Sequence, residues 1–540
     1  FATHHSDTEA LLHGHRQWGR GLASRLEGMY AVGLWDGSER SLVLMRDLAG
    51  EKPLYFLELK PPQSQTSGAP HSLVAFASSA ASLHALLRAM QREAAAGDGD
   101  TSLLPAIDAA LTIDPVAMRQ WLAFGWGEGT PWAGIRELKP GQLAWFDTLG
   151  RTGRQRISLE AEATRSLALD ARSARSLIEQ AVEQRLEADV PLGCLLSGGL
   201  DSGLVAAAAQ QALARRGDRL KTFTMRMPDA RYDETPLAEL TARKLGTDHA
   251  TIDIEHDPAG DMQSLIRWLG LPFGDSSLLP TYWLSRAVRE RVKVALSGDG
   301  GDELFAGYER HTVAIKLQRY RGLLRLLGLV PWSSRDPKSL WSKLRRLCQA
   351  ASGAGYADLV AIFPSLQAAR LTKDRRNPPR FEVPGMAQWR DFETYLPGDL
   401  LRKVDTASMR VALEVRAPLL HRELIYRAAA TPLRTLMPGG RRKALLREAA
   451  RGVLPDEVLQ ARKSGFAIPI GDWLRAEGSL RTLLHDTLRS AEAFDGLGVE
   501  IDRRFVEQML SEHDARTRDH AQRLFALLSV CIWNRWRRDP

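Results

Sequence analysis

Residues 195–203 read LLSGGLDSG, which sets three glycines, two hydroxyls and one carboxylate between a strand pattern and a helix pattern. The apolar run over 190–196 stops at Ser197-Gly198-Gly199-Leu200-Asp201-Ser202, and an alanine-rich helical stretch over 204–214 follows at once. A strand, a glycine turn and a helix start make an oxyanion trap. Gly198 and Gly199 let backbone N–H groups point inward, Ser197 and Ser202 donate, and the helix N-terminus adds partial positive charge. The sequence has no GxxxxGK[ST], so no P-loop lysine grips a transferable γ-phosphate. An acidic Asp201 inside an anion site makes sense where a cation such as Mg²⁺ joins it to phosphates.

A second turn of the same kind follows the apolar run over 292–296: Ser297-Gly298-Asp299-Gly300-Gly301-Asp302-Glu303. Alone, GDGGDE could be a calcium-type loop or a simple turn. Paired with SGGLDS it is far more specific, because in a doubly wound sheet two such turns sit side by side at the strand ends. Asp201 and Asp302 could then hold one Mg²⁺ between them, the alternative being that each merely caps a helix.

The elements needed to position these turns are visible in the pattern. Strand signals at 190–196, 221–225 and 292–296 are separated by helical patterns at 171–188, 204–214, 235–245 and 280–290. That alternation predicts an α/β unit over 170–540: a doubly wound parallel sheet followed, beyond about 310, by a largely helical part punctuated by Pro331, Pro364, Pro378, Pro379, Pro397 and Pro418. Residues 1–165 read as a separate unit with β character. A hairpin is predicted from 31–35 and 41–45 around Asp36-Gly37-Ser38, with further strands at 73–77 and 141–146. Segments 60–70 and 94–100 read as loops or linkers.

With these residues in hand, the chain resembles a known family. SGGLDSG is similar to the PP-loop of ATP pyrophosphatases, which cleave ATP to AMP and pyrophosphate. The order SGGLDSG, DSSLLPTYWLSR, ALSGDGGDELFAGYERH, LLRKVDTASMRVALEVRAPLL, GGRRKALLREA and LPDEVLQARKSGFAIPIGDWLR resembles the glutamine-hydrolysing asparagine synthetases across essentially the whole chain. The resemblance implies an ATP- and Mg²⁺-dependent ligase that adenylates a carboxylate, which ammonia then attacks. For aspartate the intermediate is β-aspartyl-AMP and the product asparagine.

Ser197, Gly198, Gly199 and Ser202 are expected to cradle the departing pyrophosphate, and Ser297 and Gly298 to line the AMP side. Met225 is a candidate for adenine contact or simply a core methionine. Lys443, in Gly439-Gly440-Arg441-Arg442-Lys443, matches the family's catalytic lysine, the alternative being a surface basic cluster. Asp299 matches an acidic position near the acyl centre, and Asp275, Ser276 and Arg416 are substrate-side or supporting candidates. His421 and Ser79 depart from the family pattern, which has an acidic residue at both places.

The N-terminal third resembles the family's αββα-type N-terminal-nucleophile glutaminase, through Thr3-His4-His5-Ser6-Asp7-Thr8-Glu9, Leu26-Glu27-Gly28-Met29-Tyr30-Ala31 and Arg46-Asp47 before Lys52-Pro53-Leu54-Tyr55. By that likeness Asp7 binds the glutamine α-amino group. The chain begins with Phe1, and the cysteine nucleophile, early arginine and asparagine–glycine element of the family precede that point. The expectation is a truncated glutaminase unit, inactive as given and active in the full-length protein.

Bulk properties narrow the alternatives. A net charge of +8, from 73 basic and 65 acidic residues in 540, is mild, so nucleic acid is not an expected partner. The Arg319–Arg325 and Arg345-Arg346 clusters and the 533–538 tail read as solvated helix faces. Cys194, Cys348 and Cys531 are odd in number and set in apolar surroundings, which argues for a reducing compartment, the cytoplasm by default. No apolar run approaches 18 residues, so no membrane is expected. His4, His5, His13 and His15 match no zinc spacing and read as structural. Small-molecule substrates are the expected partners, with homodimerisation open. Two other functions stay open: the same chemistry on another carboxylate in peptide or polysaccharide biosynthesis, and a non-catalytic nucleotide-binding paralogue.

Overall fold

The structure is a computed structural model that describes residues 6–60, 72–97, 101–227, 229–253, 255–328, 340–374, 386–461 and 468–539. His4, His5, residues 61–70 of the first loop, Pro331, Pro378, Pro379 and residues 462–467 of the last motif lie outside them.

Strands β1 (Ala31–Asp36), β2 (Ser41–Arg46), β3 (Tyr55–Leu59), β4 (Leu73–Ala77), β5 (Arg136–Glu137), β6 (Gln142–Asp147) and β7 (Thr152–Arg156) form two antiparallel sheets, in the orders β1-β2-β6-β7 and β4-β3-β5. The predicted hairpin pairs Asp36 with Ser41, and the Asp36 carboxylate ties its turn by accepting from the backbone N–H groups of Ser38 at 2.9 Å and Glu39 at 3.0 Å.

Alternation of side chains sorts these strands into layers. Val43 and Met45 face Leu22 beside the N-terminal helix Asp7–Trp18, while Leu44 faces Phe56 and Phe146 between the sheets. Tyr55, Leu57 and Leu59 turn the other way, onto Leu83 and Leu87 of the helix Ala80–Ala96. Helix, sheet, sheet, helix is the expected αββα order. The helix Ala80–Ala96 corrects one expectation, since Ala94–Ala96 belong to it and not to a loop. Gly97, at φ 86°, ends it in the left-handed conformation.

The second unit is built on a five-stranded parallel sheet: β8 (Leu192–Leu195), β9 (Lys221–Met225), β10 (Asp248–Ile252), β11 (Val294–Leu296) and β12 (Glu414–Arg416), in the order β10-β9-β8-β11-β12. The chain steps outward from β8 to β10, then returns to place β11 on the other flank of β8. That reversal opens a crevice at the carboxyl ends of β8 and β11, where Cys194 and Leu296 are in register.

Helices cover both faces. Leu200–Ala214 begins four residues earlier than its alanine-rich pattern suggested, so Asp201 and Ser202 lie in its first turn. β12 sits within the part expected to be nearly all helical. Pro397 does not break the chain there. It is absorbed in a wide π-type segment, Asp391–Leu400, that runs directly into the helix Leu401–Met409.

Buried charge joins the two units. Glu137 accepts from Arg46 Nη1 at 2.9 Å and from Arg402 Nη2 at 2.6 Å, with its side chain 6 % exposed. Glu51 meets Arg185 at 3.2 Å and Lys52 meets Asp405 at 2.9 Å. Removing one partner strands the others. Glu137→Ala is expected to destabilise the protein by about 3–5 kcal/mol, read as a lower midpoint in denaturant or heat, whereas an unchanged midpoint would show that this carboxylate does not hold the units together.

Candidate active site

The crevice opens into a cavity of about 630 Å³. Ser197, Gly198, Gly199, Asp201 and Ser202 line it from the turn after β8. Ser297, Gly298, Asp299 and Asp302 line it from the turn after β11, with Met225 at the end of β9 and Lys443 opposite. Every nucleotide, metal and catalytic candidate of the synthetase part therefore faces one space. The turns are internally braced. Ser197 Oγ and Ser202 Oγ are 2.9 Å apart, Gly199 N donates to Ser197 Oγ at 3.2 Å, and Ser297 Oγ donates to Asp299 Oδ2 at 2.7 Å.

Lys443 is the keystone. Its ammonium contacts Asp201 Oδ2 and lies 2.8 Å from Asp302 Oδ1. Burial, the largest influence, works against charge on this amine, but Asp201 and Asp302 outweigh it and hold the pKa above the ordinary lysine value. Its backbone sits at φ 51°, ψ 33°, a left-handed conformation that costs a non-glycine residue roughly 1 kcal/mol. The surface-cluster alternative for Lys443 is thereby corrected: the residue is 7 % exposed and points inward.

Two glycines allow the approach. A Cβ on Gly298 would lie 2.6 Å from Ser202 N, locking the turns apart, and one on Gly307 would strike both the Asp302 carboxylate and Lys443 Cε. Asp201 and Asp302 converge on one point that already holds a cationic group, so the donor set fits a hard divalent cation that takes its remaining oxygens from phosphate and water.

A second cluster on the cavity wall was found only in part by sequence reasoning, which named Asp275 and Ser276 but not Lys403. Lys403 Nζ donates to Asp275 Oδ2 at 3.1 Å and to Ser277 Oγ at 2.8 Å. The one signal was spacing, since Lys403 shares a helical face with Leu400 and Ala407, where a lysine is out of place. Arg310 lies over the rings of both Tyr308 and Tyr395, which meet edge to face, at 3.8 and 4.3 Å from their centroids, and its Nε donates to Asp391 at 2.9 Å. Tyr308 in turn donates to Glu303 at 2.6 Å. Behind them burial pushes Asp399 up to about 8, with the Asp275 charge adding and Lys403 opposing.

A family model described as asparagine synthase matches residues 173–538, and one described as a glutamine amidotransferase domain matches residues 1–156. The chain belongs to the asparagine synthase family. It is similar to a Mycobacterium tuberculosis protein provisionally named as a glutamine-hydrolysing asparagine synthetase, at 30% identity over 99% of this chain and 80% of that one. Asparagine synthetase (glutamine-hydrolysing) 1 of Bacillus subtilis is 26% identical over 98% of this chain and 80% of its own length. Amidase chyE of Penicillium rubens is 26% identical over 56% of this chain and 43% of its own. Membership makes the protein an ATP-dependent, amide-forming ligase of the glutamine-hydrolysing kind. Among the described residues no helix is long and apolar enough to cross a membrane.

Against the asparagine synthase pattern, three residues are corrected or explained. Arg416 does not line the cavity. It donates to the carbonyls of Arg185 at 2.8 Å and Glu187 at 2.7 Å and so braces β12, a supporting role and not a substrate-side one. His421 caps the helix Arg422–Ala430, accepting from Glu423 N at 3.3 Å, and Ser79 caps Ala80–Ala96, accepting from Ser82 N at 3.1 Å. Both side chains cap helices outside the cavity. Asp7 is exposed on the first turn of Asp7–Trp18, also outside it.

Two outcomes follow from this geometry. Gly307→Ala should fold but lose about 10²-fold in turnover, because the new methyl displaces the Asp302–Lys443 contact; wild-type turnover would mean that contact is dispensable. Asp399 keeps its proton when folded up to about pH 8 and releases it near 3.8 when unfolded, so its contribution to stability falls as pH rises between those values. Asp399→Asn lacks that loss. Its stability relative to wild type should climb from pH 5 to pH 8 and then level, as measured by denaturant titration at each pH, and a flat difference would contradict the assignment.

Proposed function

We propose that the protein is an asparagine synthetase with two domains: a glutaminase unit over 1–165, in which Asp7 binds the glutamine α-amino group, and a synthetase unit over 170–540. In this reading aspartate and ATP react to give β-aspartyl-AMP and pyrophosphate. Ammonia, drawn from glutamine, then displaces AMP. The observation that carries it is the convergence of two serine-led turns on Asp201, Asp302 and Lys443 at the switch point of a parallel sheet. A carboxylate resists amines until one oxygen becomes a good leaving group, and adenylation supplies that.

Ser197, Ser202 and the backbone N–H groups of the first turn hold the β- and γ-phosphates that leave. Ser297 and Gly298 face the nucleotide from the other turn, and Met225 closes the wall at the base. Mg²⁺, held by Asp201 and Asp302 when bound, supplies neutralisation of the triphosphate charge. Lys443 stays protonated and answers the negative charge that develops at the α-phosphate and then at the acyl oxygen. Asp299, braced by Ser297, is placed to accept a proton from the attacking ammonium. Three buried thiols with no disulfide among the described residues support a reducing, cytoplasmic setting.

Aspartate-dependent ATP–pyrophosphate exchange tests the reading. Lys443→Met and Asp201→Asn should each lower it by about 10²–10³-fold, roughly 3–4 kcal/mol of transition-state stabilisation. Near-normal exchange by either variant overturns the residue roles, and no exchange with aspartate overturns the substrate. The partial likeness to a protein named an amidase favours one other reading, the same adenylation applied to a different carboxylate, which exchange with that acid alone would reveal.

A further inference from the structure

The C-terminal helix Ala521–Arg538 reaches the cavity, and its first turn supplies Gln522 to the wall. Gln522 Nε2 donates to Ser276 Oγ at 3.3 Å, and Ser276 itself is 4 % exposed. The neighbouring charges are already paired, Asp275 with Lys403, so the amide is a neutral group on this wall with both a donor and an acceptor to offer. Lys403 also feels the charge of Asp299, the group of the second turn proposed above to act at the acyl centre, and both line the same cavity as Gln522.

The helix that presents Gln522 is firmly seated. Trp533 is fully buried and donates to the carbonyl of Gly270 at 2.9 Å, and its ring meets that of Trp132. The segment carrying Asp275 and Ser276 is pinned from both sides. Gly274 N donates to Gly125 O at 2.6 Å, and a Cβ on Gly274 would lie 2.9 Å from the Ala526 methyl and 2.8 Å from Gly125 Cα. A side chain on a helix anchored at this distance gains precise placement without mobile loops.

We propose that Gln522, acting through Ser276, is a positioning residue that sets affinity for the carboxylate substrate while leaving the nucleotide alone. The inference rests on the adenylating function proposed above. It names a part of the site some 80 residues beyond Lys443, in a helix that carries none of the phosphate-binding or catalytic groups.

The test is steady-state ATP–pyrophosphate exchange with aspartate as the varied carboxylate, comparing Gln522→Met, Ser276→Ala and the double variant with wild type. Loss of one hydrogen bond in the substrate wall should raise KM for aspartate by about tenfold and leave KM for ATP within about twofold. The double variant should be no worse than the worse single, because both remove the same contact. Unchanged aspartate KM, a parallel rise in ATP KM, or additive losses in the double variant each overturn the proposal. Wild-type protein that shows no exchange with aspartate overturns the substrate reading instead, and this inference with it. Thermal midpoints within about 2 °C of wild type identify the KM effect as local, whereas a large drop in both single variants assigns Gln522 to the fold and removes it from the site.

Discussion

Two carboxylates that belong to different turns cannot approach each other in a half-buried cavity unless positive charge stands between them. Here that charge is the Lys443 ammonium, shared by Asp201 and Asp302. The rest of the site follows from this constraint. The turns must leave adjacent parallel strands, which the reversal of strand order between β8 and β11 provides. Their backbones must pass close together, so Gly298 has no room for a side chain against Ser202 N. The lysine must come from a third element, and it is delivered from a left-handed residue at the start of the helix Ala444–Ala449. A strained backbone at a buried, charged position is where a fold accepts local cost in exchange for placement.

The helix Leu401–Met409 shows how the two units share one framework. Consecutive residues on it do different work: Arg402 reaches Glu137 in the N-terminal unit, while Lys403 reaches Asp275 and Ser277 on the cavity wall. Arg402 also donates to the carbonyls of Gly127 at 3.2 Å and Gly398 at 2.8 Å, so its guanidinium has little freedom. Buried ion pairs add little net stability, because desolvation offsets their attraction. They do fix register, since any shift leaves a charge without a partner. A displacement of this helix large enough to free Arg402 would carry Lys403 with it, and the site would change shape at the same time.

Much of this was legible in the sequence because it is local. A strand, a glycine turn and a helix start fall within a dozen residues, and so does the Asp36 hairpin, so the pattern carries the geometry. Helix ends were less legible: Leu200–Ala214 starts before its alanine-rich run because Gly199 and Leu200 accept helical entry that composition alone does not advertise. β10 and β12 escaped notice because Asp248–Ile252 has few apolar residues and Glu414–Arg416 is three residues long. Lys403, Arg310 and Gln522 escaped for a different reason. Their partners, Asp275, Tyr395 and Ser276, come from distant segments, and no spacing within one segment encodes a contact between two. His421 and Ser79 looked like changes in chemistry and are caps, because a carboxylate, a hydroxyl and an imidazole nitrogen can all accept a helix's first N–H groups.

Why a lysine and not one of its arginine neighbours occupies the keystone position follows from shape. Arg441, Arg442 and Arg447 flank Lys443, and Arg447 also lines the cavity, yet its guanidinium is spent on the backbone carbonyls of Arg442, Leu459 and Ala461. A planar fork needs acceptors spread over its width, whereas two carboxylates closing on one point present a narrow target. The space at Gly307, where a single methyl would strike both Asp302 and Lys443 Cε, leaves no room for the broader group. A compact ammonium on a flexible stem fits that space and holds its proton between the two acids.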